Sequence, residues 1–481
     1  MNNAIRHTWV VAVGLFLTLF VALSIIQVAM TDELNANPNN VRQVYEDRGA
    51  PRGAITVDGT AVAESVPSEN SSFAYQRVYH EPELYSGITG TYSIAANPTG
   101  LEGTLNEYLS GQSDSQFFDR ITSVFTGDTM DGGQVELTLD AELQQLAYDQ
   151  IPEGTRGSII VTEIATGDIK AMAAKPSYDN NALAVQDSTQ LIQNQEELES
   201  DPDLRYISRA ISSTLAPGST FKLVDLVAML ESGDYEPDTI LANPNSITLP
   251  DSNTELANFD RGICAQRSQA ELSWIVAQSC NTPFAQAAMD LGEGSIRDSA
   301  EAFGFNSDGL GIPLRVDTSN FPTDLSDAAL AQSSIGQFDV TSTPLQMNMV
   351  AAAIANDGTL MKPNLVNAIR GSDLQLLSTS EPETLSEVTS EQVAAEITEM
   401  MVGVVESGTG TRAQTESFQV AAKTGTADVG DTGEVNSWIT GFAPADDPQY
   451  AVTVAYERID FDTGSSLTGP QLLTMLEAAI E

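Results

Sequence analysis

The chain has 481 residues, with 67 Asp+Glu against 21 Lys+Arg and a formal net charge of -46. A surface of that sign repels phosphate backbones, which excludes nucleic acid as a partner. At this length, with 41% apolar residues, two or three globular domains with sizeable cores are expected.

Residues 9–30, WVVAVGLFLTLFVALSIIQVAM, form a charge-free apolar run of 22 residues. As a helix it is roughly 33 Å long, enough to cross a bilayer core. Arg6 precedes the run and Asp32 and Glu33 follow it. The positive-inside rule then puts residues 1–8 in the cytoplasm and the rest outside. A signal peptide has a shorter apolar core and a small-x-small cleavage site, so 9–30 reads as an uncleaved transmembrane anchor. Residues 31–53 are polar with Asn-Pro and Gly-Ala-Pro-Arg-Gly turn signals and read as a linker. Short alternating stretches from 54 to 133 predict a small strand-rich domain, so 31–133 is a linker plus a small domain.

From residue 134 the pattern changes. VELTLDAELQQLAYDQI predicts a strand over 135–139 and a helix capped by Asp140. GSIIVTEIATGDIKAMAA predicts a hairpin turning at 166–168. The acidic stretch 193–203 reads as a solvated loop. Helical patterns dominate much of 205–305 and recur at 342–357 and 389–407. Strands return in FQVAAKTGTA, NSWITGFAP and YAVTVAYE, before a terminal helix in TGPQLLTMLEAAIE. Strands at both ends with helices between them predict one α/β sheet closed by its termini.

Export and composition narrow the chemistry. The two histidines are His7 and His80 and the two cysteines Cys264 and Cys280, too few and too scattered for a Cys/His metal site. No metal and no cofactor is expected. With no histidine after position 80, a Ser-His-Asp triad in the C-terminal region is also excluded. Lysine occurs only at Lys170, Lys175, Lys222, Lys362 and Lys423. In LAPGSTFKLV, Ser219 stands three residues before Lys222, on one face if the segment is helical. That spacing predicts Lys222 Nζ within reach of the serine hydroxyl, which needs a base to become nucleophilic. A lysine near its usual pKa of about 10.4 is protonated, so burial and a second cation must lower it.

Two more motifs follow, Ser279-Cys280-Asn281 and Lys423-Thr424-Gly425, the latter continuing into Thr426. Ser279 is suited to relay a proton, and Asn281 to hold Lys222 and a substrate amide. Lys423 offers charge to a substrate carboxylate, with hydroxyls from Thr424 and Thr426. Gly425 permits close approach of the strand to the substrate. Backbone N–H groups of Ser219 and Thr426 are the candidate oxyanion hole. Each feature has a plainer reading: Ser219 as a helix cap, Ser279 and Asn281 as a turn before Pro283, Lys423 as a solvated strand lysine.

The order S-x-x-K, S-x-N, K-[ST]-G resembles serine β-lactamases and penicillin-binding proteins. Over nearly its whole length the chain resembles class B penicillin-binding proteins, particularly the actinobacterial penicillin-binding protein A type. PRGAITVDG, LDAELQ, TGDIKAMAAKPSYDNN, RAISSTLAPGSTFK, SCNTPFAQAA, IGQFDVTSTPLQM and AAKTGTA stand in family order. The resemblance implies an α/β serine transpeptidase fold over 134–481, with a five-stranded sheet flanked by helices. A non-catalytic pedestal and the transmembrane helix would precede it. It implies that Ser219 is acylated and Lys222 is the general base. Ser279 and Asn281 would be the second motif, with Lys423, Thr424, Gly425 and Thr426 lining the site. The implied activity is a D,D-transpeptidase cross-linking peptidoglycan stem peptides, inhibited by β-lactams, in septal wall synthesis beside a membrane glycan polymerase and division proteins. One departure is Phe338 in IGQFDV, where many members have glycine after Ile-Gly-Gln. About 100 residues between anchor and residue 134 are too few for a glycan polymerase domain. A D,D-carboxypeptidase or β-lactamase-like hydrolase, and a non-catalytic division scaffold, are the alternatives.

Cys264 and Cys280 both fall in the exported part, where oxidation is permitted, so a disulfide is expected. Two buried free thiols are the alternative.

Overall fold

Asp58 and Gly59, both at positive φ, turn the strand Ile55–Val57 back on Thr60–Pro67. An Asp-Gly pair suits this two-residue hairpin turn, whose backbone twist matches the twist of the strands it joins. The computed structural model describes residues 3–26, 30, 49–69, 73–93, 96–116, 132–259, 263–308, 310–430 and 432–481. Most of the expected linker at 31–53 therefore lies outside the described residues, as do 117–131 of the small domain.

The helix Asn3–Ser24 precedes these domains, and its 20-residue stretch Ile5–Ser24 has the length and apolarity to span a membrane. It starts earlier than the apolar run, because nothing at residues 3–8 breaks a helix. Its large apolar side chains, among them Leu15, Phe16 and Phe20, are exposed along its length, as lipid-facing side chains are.

The small domain is built on a six-stranded sheet. Its Ile55–Val57 strand also pairs in parallel with Gln134–Leu137, which in turn pairs with Val366–Arg370 and, beyond it, Leu376–Thr379. The sheet thus crosses the boundary expected at 133/134 and draws in a hairpin from more than 200 residues away. At its heart Glu102, fully buried, accepts from Arg52 Nε at 3.0 Å and Arg77 Nε at 2.5 Å. Burial pushes the Glu102 carboxyl up, but Arg77 and then Arg52 outweigh it and hold it below its ordinary value. The stability this adds is present above the ordinary carboxylate pKa and is lost as pH falls through the lowered folded value.

The larger domain is organised by an antiparallel sheet of five strands, in the spatial order Ala421–Asp428, Val435–Ala443, Tyr450–Ile459, Arg156–Glu163, Ile169–Lys175. Strands from the two ends of the domain meet where Tyr450–Ile459 pairs with Arg156–Glu163. One face packs Ile159, Val161, Ile439 and Val454 against Leu143, Leu472 and Met475 of the helices Ala141–Gln150 and Phe461–Ile480. The other face supplies Ile160, Met172, Trp438 and Phe442 to a larger core that holds the helices Lys222–Glu231 and Pro344–Ala355. Asp140 caps its helix as expected, accepting from Leu143 N.

Some sequence expectations need correction. Residues 193–199 of the acidic stretch belong to the helix Ser188–Glu199 rather than to a loop, because Asp187 caps it through Thr189 N and Gln190 N and Leu191 anchors it. Gln and Glu are good helix formers. The terminal helix starts at Phe461, where Asp460 accepts from Thr463 N. Within the largely helical 205–305, the stretch 240–271 contains four short strands instead.

Glu102→Ala leaves two buried guanidinium groups without their counter-charge. It is expected to cost about 3–5 kcal/mol of unfolding free energy. Denaturant unfolding of the detergent-solubilised protein measures this; a loss below about 1 kcal/mol would contradict it.

Candidate active site

Ser219 sits in the 3-10 turn Gly218–Thr220, just ahead of the buried helix that begins at Lys222. Phe221, between them, is wedged against Phe305 edge-on and Phe321 face-on, which fixes how the turn enters the helix. Trp438 Nε1 donates to Ala216 O at 3.0 Å, tying the turn to the sheet. Gly218 has φ +54, and a Cβ there would lie 2.4 Å from Thr426 O. Only glycine lets the serine turn seat against the strand at this distance. Gly425 serves the same contact. The atoms a Cβ would strike there belong to Pro217 and Thr220, so its small size admits the Ser219 turn.

Ser279 ends the helix Leu272–Gln278 in a left-handed conformation, φ 57 and ψ 36. A non-glycine residue pays about 1–2 kcal/mol to stand there. The turn is held from several sides. Asn258 Oδ1 accepts from Asn281 N at 2.6 Å and Thr282 N at 3.1 Å. Asn281 Nδ2 donates to Ala257 O at 3.0 Å. A disulfide joins Cys264 to Cys280, closing a separation of 16 residues with Cα atoms 5.8 Å apart. Asn258 and Asn243, which donates to Cys264 O at 2.8 Å, carry no motif in the sequence. They become visible only once the loop 243–267 is folded back on the turn.

Both lysines are fully buried and converge on this turn. Lys222 Nζ donates to Ser279 O at 2.8 Å, Cys280 O at 3.1 Å and Asn281 Oδ1 at 2.8 Å, with a long contact of 3.5 Å to Ser279 Oγ. Its amine also stands 5.2 Å over the Phe284 ring. These partners draw Nζ toward the 279–281 turn, and the expected hydrogen bond to Ser219 Oγ is not among them. Lys423 Nζ donates to Ser279 Oγ at 2.8 Å and Thr424 O at 3.0 Å. The Ser279 hydroxyl thus lies between two amines, 57 and 144 residues away in sequence.

Burial, and then Lys423, push Lys222 well below the ordinary lysine range. Burial lowers Lys423 to about 7. Two cations this close in a low-dielectric interior repel strongly, so the site favours a single ammonium at neutral pH.

These groups open onto a cleft of about 770 Å³ that Ser219, Ser279, Asn281, Thr424 and Thr426 help to line. Lys423 and Gly425 lie on the sheet's edge strand, Ala421–Asp428. Thr424 shares a hydrogen bond of 2.5 Å with Thr409, whose loop forms the opposite rim. Gln337 and Phe338 also line the cleft. Phe338 has φ 60, so the backbone keeps a left-handed turn that favours glycine even though a phenylalanine stands there.

Comparison with known proteins fits this geometry. Residues 157–474 match the penicillin binding protein transpeptidase domain, and residues 52–135 match the penicillin binding protein A dimerisation domain. The chain is 38% identical to the peptidoglycan D,D-transpeptidase PbpA of Mycolicibacterium smegmatis, over 100% of this chain and 99% of the relative. The imipenem acyl-enzyme complex of penicillin-binding protein A from M. tuberculosis superposes with a TM-score of 0.86. It is 35% identical and covers 91% of this chain and 100% of that one. The penicillin G acyl-enzyme complex of that protein gives 0.84 at 36% identity, covering 90% of this chain and 100% of that one.

Because the chain holds five lysines, the Cε carbons of isotope-labelled lysine form a sparse spectrum in which each can be followed against pH. Lys423 is expected to titrate near pH 7, charged below and neutral above. A midpoint near the free-lysine value of about 10.4 would contradict its burial in a water-poor site.

Proposed function

The chain belongs to the penicillin-binding protein transpeptidase family, and we propose that Ser219 is the residue through which it forms its acyl-enzyme. The protein is a peptidoglycan D,D-transpeptidase of the serine type. The observation that carries the assignment of Ser219 is the convergence of three distant motifs on one cleft, with Ser279 Oγ between two buried lysines beside the Ser219 turn.

The donor is a stem peptide ending in D-Ala-D-Ala. Lys423, in its ammonium form, together with the hydroxyls of Thr424 and Thr426, holds the terminal carboxylate. The substrate backbone lies along the free edge of Ala421–Asp428, in the manner of an added strand. Lys222 releases part of its contact with the 279–281 turn and accepts the Ser219 proton as Oγ attacks the carbonyl of the penultimate D-Ala. The N–H groups of Ser219 and Thr426, brought together by the contact at Gly218, receive the oxyanion. As the tetrahedral intermediate collapses, the C–N bond breaks and the proton passes through Ser279 Oγ to the departing D-Ala amine. An acceptor amine from a neighbouring stem peptide then attacks the ester, gives up a proton along the same route, and releases Ser219. A β-lactam follows the first half-reaction, but its leaving nitrogen stays tethered and obstructs the acceptor.

The N-terminal apolar helix fits a single-pass membrane anchor. We place the N-terminus in the cytoplasm and the catalytic domain outside. Arg6 ahead of the apolar run 9–30, acidic residues after it, and the Cys264–Cys280 disulfide, which needs an oxidising compartment, support that orientation. The finer assignment, septal wall synthesis beside a membrane glycan polymerase, rests on the resemblance and is proposed with it.

Intact-mass analysis after exposure to penicillin is expected to show one adduct on the protein and none on Ser219→Ala. An adduct surviving in Ser219→Ala would refute the assignment. Lys222→Ala is expected to slow acylation by about 100-fold, the usual scale for loss of a general base.

A further inference from the structure

One buried ionisable group in this region has no part in the reaction just described. Asp225 lies one helical turn beyond Lys222 in the helix Lys222–Glu231, and its side chain is 1% exposed. Among the described residues, neither of its carboxyl oxygens has a hydrogen-bond partner. A carboxylate stripped of water and of donors persists only beside a compensating charge, or else takes up a proton. Residues i and i+3 of a helix share a face, so Lys222 is the charge available to it.

The helix packs against Thr282–Leu291, Glu293–Ala302, Pro344–Ala355 and Glu391–Ser407. No charged side chain of those four helices acts on either group. Asp225 feels Lys222 alone, and Lys222 feels Lys423 from the sheet and Asp225 from its own helix. Lys423 is itself buried, so Lys222 is acted on by a second dry amine and by a carboxyl that has no hydrogen-bond partner.

We propose that Asp225 is the counter-charge of Lys222, a positioning residue that offsets the ammonium formed when Lys222 takes the proton of Ser219. This deepens the reading above and rests on Lys222 being the base. Without a negative charge nearby, protonating a buried amine next to Lys423 places two like charges in a low-dielectric site. With Asp225 ionised the proton transfer leaves the helix interior electrically neutral, and Lys222 can leave its three oxygens in the 279–281 turn without stranding a lone cation. Each group pulls the other toward its charged form, against burial: burial and then Lys423 lower Lys222 while Asp225 raises it, and burial lifts Asp225 well above the ordinary carboxylate range while Lys222 lowers it.

The test is the pH dependence of acylation by a reporter penicillin, measured on the full-length protein, on Asp225→Asn and on Lys222→Ala. Acylation needs Lys222 neutral, so its rate rises with pH through the Lys222 titration. Removing the carboxylate makes Lys222 a weaker base. The acidic limb of Asp225→Asn is then expected to move down by about one pH unit, with the maximum rate, before Lys423 loses its own proton, reduced roughly three- to ten-fold. If Lys222→Ala acylates as fast as the unaltered protein, the base itself is misassigned and the proposal falls with it. If Lys222→Ala is impaired but the limb of Asp225→Asn stays in place, the role of Asp225 alone is overturned. Should Asp225→Asn fail to fold, the infrared spectrum of the unaltered protein with carbon-labelled aspartate decides. Asp225 is the one aspartate among the described residues pushed above its ordinary range. No protonated-carboxyl band at neutral pH supports the counter-charge, and a persistent one overturns it, because a neutral acid offsets nothing.

Discussion

The structure turns on holding two lysine side chains in the dry interior with one serine hydroxyl between them. Lys222 and Lys423 are both fully buried, in a protein whose surface is overwhelmingly acidic and where either would find carboxylates easily. Taking an ion out of water costs several kcal/mol even after the protein relaxes. Neither lysine has a carboxylate salt-bridge partner among the described residues; their direct partners are oxygens of Ser279, Cys280, Asn281 and Thr424. Neutral acceptors solvate an amine without fixing its charge. Burial then lowers both, Lys423 to about 7 and Lys222 well below the ordinary lysine range.

Much of the surrounding architecture can be read as what keeps that arrangement from relaxing. The Ser279 turn is strained, and Asn258, the disulfide to Cys264 and the Ala257 carbonyl hold it in place. The five-stranded sheet places Lys423 on an edge strand, so one side of that strand can be taken up by ladder hydrogen bonds while the other borders the cleft. Gly218 removes the side chain that would separate the serine turn from Thr426. A disulfide closing a loop of this size contributes about 3 kcal/mol in the chain-entropy model, more than the strain at Ser279.

The chemistry of the site was legible in the sequence because it resides in residue types that the composition makes scarce. Five lysines in 481 residues make Lys222 and Lys423 stand out, and the lack of histidine after position 80 removes the commonest alternative base. The Asp140 cap and the hairpin around 166–168 were legible because their signals are local. What was hidden depends on contacts distant in sequence. Asn258 and Asp225 belong to no motif, and only folding shows the first gripping the Ser279 turn and the second buried without a hydrogen-bond partner one helical turn from Lys222. The pairing of 366–370 with Gln134–Leu137 could not be read from either segment alone. The helix 188–199 was missed because its polar face overwhelms a single buried leucine. The orientation of Lys222 toward 279–281 was missed because helical spacing indicates a shared face, not which of several oxygens an unbranched side chain reaches.

The central claim is that the acyl-enzyme passes its acyl group to an amine rather than to water. Purified full-length protein supplied with a D-Ala-D-Ala stem-peptide donor and an amine acceptor distinguishes the two by product. Cross-linked peptide is expected as the main product, with one D-Ala released for each bond formed. Release of D-Ala accompanied only by the trimmed, uncross-linked donor would contradict it and make the enzyme a hydrolase.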